Sequence, residues 1–128
     1  MRSALIAITL TTPLAAQDAL SAADFEAYAQ GKTLGYRRQS NTFYGTERYM
    51  QNRRVLWTTI DGRCTTGVWY ESKGQICFRY DDDATPTCWQ FHTESENLIG
   101  YFDNNLTSTY NIDIIDEKEL FPCDQLTS

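Results

Sequence analysis

From Lys32 onward, apolar and polar residues alternate with a period close to two. The segments "KTLGYRR", "TFYGTERYM", "RRVLWTTI", "TTGVWYES", "QICFRYD", "TCWQFHT" and "NLIGYFD" are short and rich in aromatic and β-branched residues. Turn residues separate them: "QSN", "QN", "DGR", "SKG", "DDDATP" and "ESEN". Alternation bounded by such turns predicts strands. Seven strands at this spacing, with "STYNIDIIDE" as an eighth, predict one antiparallel meander, either a curled sheet or a small barrel. The tail "KELFPCDQLTS" carries Pro122 and predicts irregular chain.

Ahead of the strands, "LSAADFEAYAQG" follows a helical pattern. Ser21 suits the N-cap, with Asp24 three residues on as in a capping box. Leu20 can pack on Phe25 as a hydrophobic staple, and Gly31 supplies a C-terminal stop. Further upstream, "MRSALIAITLTTPLAAQDA" sets one early charge, Arg2, before an apolar run and small residues. That is the layout of a secretory signal peptide over residues 1–19, with cleavage between Ala15 and Ala19. The run is shorter than the roughly 20 residues a membrane helix needs. The expected address is the periplasm or the exterior, with no stable membrane insertion. Residues 20–128 are expected to form a single disulfide-stapled β-domain.

Charge narrows the partners. Arg2 and Asp18 fall in the leader, so the mature chain keeps the net charge of −6. An acidic chain does not suit nucleic acid, whose nonspecific binding rests on phosphate neutralisation. The four cysteines, Cys64, Cys77, Cys88 and Cys123, predict two disulfides in an oxidising compartment.

Register arithmetic suggests how they pair. With Ser72-Lys73 as a hairpin turn, Trp69 faces Ile76 and Val68 faces Cys77. With the next loop centred on Asp82-Asp83, Cys77 faces Cys88 and Ile76 faces Trp89. Opposed residues share a face, so Trp69, Ile76 and Trp89 form one row, with Phe78 and Phe91 on the same side. Cys77 and Cys88 then lie within disulfide reach, leaving Cys64 to Cys123. Pairings of Cys64 with Cys77 or Cys88 remain as alternatives, because spacing alone does not settle connectivity.

The chain offers little catalytic or ligating chemistry by motif, and no metal or cofactor is expected. The cysteines lie 13, 11 and 35 residues apart, without a Cys-x-x-Cys, and His92 is the only histidine. Zinc and redox motifs need closer pairs. "AQGKT" matches the end of a phosphate-binding loop, but Glu26 stands where its first glycine belongs. Asp81, Asp82 and Asp83 lack the ligand spacing of a calcium loop and read as a solvated hairpin tip. His92 has no nucleophile elbow to serve, and a carboxylate pair is the one hydrolytic arrangement left open. One local concentration is distinctive. Arg37, Arg38, Arg48, Arg53 and Arg54 crowd into 18 residues together with Tyr44 and Tyr49. Arginine and tyrosine favour protein interfaces, so these seven residues are the candidate binding surface.

The order "SAADFEAYAQGKTLGY", "YGTERYM", "RRVLW", "GVWY", "ICFRY", "CWQF" resembles uncharacterised small secreted, periplasmic proteins of alphaproteobacteria. The resemblance runs from Ser21 to Phe91. A looser similarity reaches rhizobial exported domains of unknown function that share a "G-x-W … G-x-(I/L)-C-F … C" core. It implies a periplasmic address and this strand order, and carries no catalytic residue with it. The expected function is a non-enzymatic β-domain that binds a periplasmic or envelope protein or other envelope component, as an inhibitor or accessory factor. Two alternatives stand beside it: a carrier of a small apolar ligand, and an envelope-active hydrolase. Packing separates the carrier from the rest, because a barrel filled by Trp57, Trp69, Trp89 and Phe78 leaves no room for a ligand.

Overall fold

The computed structural model describes residues 4–9, 19–103 and 108–115. One helix, α1 (Ala22–Ala29), precedes eight strands: β1 (Thr33–Arg38), β2 (Phe43–Tyr49), β3 (Arg54–Thr59), β4 (Cys64–Ser72), β5 (Gln75–Tyr80), β6 (Asp83–Glu94), β7 (Asn97–Phe102) and β8 (Thr109–Ile114). Each strand pairs antiparallel with the next, and β8 returns to β1, closing the sheet into a barrel. Closure removes both sheet edges, the usual site of unwanted strand addition. Among the described residues, no helix is long and apolar enough to cross a membrane. The predicted leader falls largely outside the described residues, as do Cys123 and the rest of the tail.

The helix forms where its caps predict it. Ser21 Oγ accepts from the Asp24 N–H at 3.1 Å, and Gly31 takes φ +79°, a conformation glycine adopts without strain. Ala22, Phe25 and Ala29 share its buried face. Two main-chain bonds tie the helix across one barrel end. The Leu20 N–H donates to the Phe91 carbonyl at 2.7 Å, and the Gly31 N–H donates to the Tyr49 carbonyl at 2.9 Å. Phe25 is thereby pressed into the barrel, stacked on Phe91 at 4.5 Å and edge-on to Trp69 at 5.2 Å and Tyr49 at 5.5 Å.

The predicted hairpin register is corrected at one turn. The β4–β5 turn is Lys73-Gly74, not Ser72-Lys73, so Trp69 opposes Phe78 rather than Ile76, and Tyr70 rather than Val68 opposes Cys77. The reason is backbone conformation. A two-residue hairpin turn of this hand needs positive φ at both central residues, and Lys73 and Gly74 have φ 52° and 77°. The correction moves the pairing by two residues, so every side chain keeps its face. Trp69, Ile76, Phe78, Trp89 and Phe91 are all buried.

On β5–β6 the register is as expected near the cysteines: Ile76 opposes Trp89 and Cys77 opposes Cys88. A bulge after Phe78 then brings Tyr80 opposite Asp83. Cys77 and Cys88 form a disulfide with a sequence separation of 11. Loop-closure entropy for a loop of this size is worth about 3 kcal/mol. Replacing both cysteines with serine should therefore lower the unfolding free energy by about that amount in urea titration. Non-reducing peptide mapping should find the Cys77 and Cys88 peptides joined. A Cys64 peptide joined to either would contradict the register.

Candidate functional site

The inward side chains stack in layers. Next to the helix lie Leu34, Tyr49, Val55, Trp69, Phe78 and Phe91, which fill the barrel around Phe25. One step along the strands, the inward positions are Tyr36, Glu47, Trp57, Tyr80, Trp89 and Tyr110. This second layer does not close. It surrounds a cavity of about 180 Å³ that also touches Tyr44, Phe78, Thr87 and Phe102. Tyr44 and Phe102 are 38% and 37% exposed, so they mark its mouth at the end away from the helix.

Local backbone features keep the space open. A Cβ on Gly45 would come within 2.5 Å of the Trp57 ring, so only glycine lets that indole lie against β2. A bulge on β1–β2 pairs Tyr36 with Gly45 but Arg37 with Phe43. Tyr44 is the extra residue, and the bulge turns it toward the cavity although strict alternation would point it outward. Neighbouring wall rings meet at steep angles: Tyr36 to Trp57 at 80°, Tyr36 to Trp89 at 63°, and Trp89 to Tyr110 at 73°. The result is a box of aromatic walls rather than a collapsed stack.

Glu47 is the exception in this lining. It is 1% exposed, and it faces Leu34 on β1 and Trp57 on β3 across the sheet. The Tyr80 hydroxyl donates to Oε1 at 3.0 Å, while Oε2 is buried with no hydrogen-bond partner among the described residues. Burial pushes its carboxyl well above the ordinary glutamate range, and the Tyr80 bond offsets only part of this. Burial and the Glu47 charge also raise the Tyr80 and Tyr36 phenols. Tyr36 shares a hydroxyl–hydroxyl bond of 2.5 Å with Tyr49. An acid unpaired at one oxygen inside a core is costly, which makes Glu47 the candidate functional residue of this cavity.

The residues singled out from the sequence are spread over the barrel. Tyr49 belongs to the core at 1% exposure, not to a surface. Arg53 lies at the helix end, 4.3 Å over Trp69 and 3.5 Å from Glu26. Arg38 lies at the opposite end, 5.0 Å over Tyr44. Arg37 pairs with Asp113 at 3.0 Å on the outer wall, Arg48 is half-buried between strand neighbours, and Arg54 is exposed. The structure thus gathers Arg38 and Tyr44 at the cavity mouth and separates them from Arg53 and Arg54. His92 stands on the outer face, against Tyr101. Asp81 and Asp82 form an exposed turn in which Asp81 accepts from Thr66. Carboxylate-pair chemistry would need two acids at one cavity, and among the described residues Glu47 is the one acid that lines this one.

Sequence reasoning missed Glu47. The signal was present: in "TFYGTERYM" it shares strand parity with the buried Tyr49. No protein-family model, curated protein or solved structure matches this chain, so the site rests on its own geometry.

Proposed function

We propose that this protein is an exported small-ligand-binding barrel whose site is the aromatic cavity around Glu47. The observation that carries the reading is the unfilled second layer: about 180 Å³, with a buried carboxyl oxygen facing it and an exposed mouth. An engineered protein cavity of about 150 Å³ takes up benzene, so this one suits a ligand of similar size. The disulfide supports an oxidising compartment, and the leader expected from the sequence would make that the periplasm or the exterior. An inhibitor or accessory factor binding through the candidate surface residues would need one arginine–tyrosine face. Arg38 and Arg53 now mark opposite ends of the barrel, and that favours the cavity over the surface.

Trp57 and Trp89 line the cavity and report on it. Small solutes should change their fluorescence saturably, and Thr87→Leu, which intrudes on the same space, should weaken binding at least tenfold. Equal responses from wild type and Thr87→Leu would place binding elsewhere and overturn the reading.

A further inference from the structure

Building on the cavity as a ligand site, we propose that its ligand is a small organic ammonium ion whose N–H donates to Glu47 Oε2 while its alkyl groups lie among the wall rings. Three observations converge on a cation with a proton to give. Eight of the ten described lining residues are aromatic, and aromatic rings attract cations. Among the described lining residues there is one carboxyl and no lysine, arginine or histidine, so a bound anion finds no counter-charge and is opposed by Glu47 once that carboxyl ionises. The carboxyl is half-served: Tyr80 supplies a donor to Oε1, and Oε2 has no partner among the described residues. A neutral apolar ligand would satisfy the rings and leave Oε2 unpaired, and a carboxylate ligand would be repelled wherever Glu47 is ionised. Arg38 lies at the mouth over the Tyr44 ring but is exposed, where solvent and salt mute its charge.

Binding should be linked to pH through Glu47. The titratable groups described around it are the phenols of Tyr36 on β1, Tyr44 and Tyr49 on β2, Tyr80 on β5 and Tyr110 on β8. Those of Tyr36, Tyr49 and Tyr80 are raised, so they stay neutral where a carboxyl titrates. Below its raised value Glu47 is uncharged, and a cation must displace its proton. Affinity should therefore rise with pH, by up to about tenfold per unit, until Glu47 ionises in the free protein.

The test is a calorimetric and tryptophan-fluorescence titration of the full chain with four probes: trimethylammonium, tetramethylammonium, tert-butanol and acetate. Trimethylammonium should bind tightest. Tetramethylammonium, with the charge but no N–H, should follow several-fold weaker. Tert-butanol should be at least tenfold weaker than trimethylammonium, and acetate should not bind. Tetramethylammonium carries no proton of its own, so its tightening with pH reads the protein. Glu47→Gln should remove that tightening and reduce trimethylammonium affinity at least tenfold while sparing tert-butanol. Tert-butanol binding as well as the ammonium ions, with no pH dependence, would overturn the cation and leave the cavity reading standing. No saturable binding by any probe would overturn both. The wild-type series is decisive even if the Glu47 variant folds poorly.

Discussion

Phe25→Ala should destabilise this domain by about 3–5 kcal/mol, a large part of the 5–15 kcal/mol by which small domains are folded. Phe25 is fully buried and meets Tyr49, Trp69, Phe78 and Phe91 at once. Those four residues come from β2, β4, β5 and β6. Truncation therefore leaves a void shared by half of the barrel wall, which cannot collapse without moving the strands. A control lies next to it in sequence. Glu26 faces outward, and its ion pair with Arg53 is more than a third exposed on both sides. Glu26→Ala should cost under about 1 kcal/mol. Urea titration of the two variants should separate them clearly. Similar midpoints would mean that the helix does not plug the barrel.

That prediction rests on features legible in the sequence. Ser21, Asp24 and Gly31 punctuate the helix through local hydrogen bonding and backbone conformation, which depend on adjacent residues only. Strand parity is equally local, so the shared face of Trp69, Phe78, Trp89 and Phe91 survived a turn misplaced by one residue. Closure was not legible. Leu34 pairs with Ile114 across nearly the whole domain, and no short-range pattern encodes that meeting. The bulge that turns Tyr44 inward is invisible for a related reason, since one extra residue breaks the alternation on which the reading depends. Glu47 was hidden by its chemistry. A glutamate between threonine and arginine reads as an outward residue, and only its phase with Tyr49 places it in the core. The cavity is the product of these three hidden features: a closed sheet, an inward Tyr44 and a buried acid.

Stability should fall as pH rises above the ordinary glutamate range, and Glu47→Gln should abolish that fall. Burial holds the folded carboxyl protonated, whereas the unfolded chain releases the same proton near its ordinary value of about 4.3. Below that value both states carry the proton, and Glu47 contributes no slope. Between the unfolded value and the raised folded value the folded state binds more protons, so unfolding free energy declines by up to about 1.4 kcal/mol per pH unit. Once the folded carboxyl ionises, the slope disappears. Asp61 is lowered instead, chiefly by its bond from Thr59, so its contribution is lost as pH falls and has the opposite sign. It is common to both proteins and cancels in the comparison. Glutamine keeps the shape and can still accept from Tyr80, but its amide N–H groups face the cavity and cost about 1–3 kcal/mol if unpaired. The absolute stabilities of the two proteins therefore mix two effects, while the slopes isolate one. Urea titrations across pH 4 to pH 8 should show the wild-type line falling relative to that of Glu47→Gln as pH rises. Parallel lines would mean that Glu47 ionises as an exposed acid does. Saturating trimethylammonium should also flatten the wild-type line, because its charge takes the place of the proton that Glu47 otherwise holds.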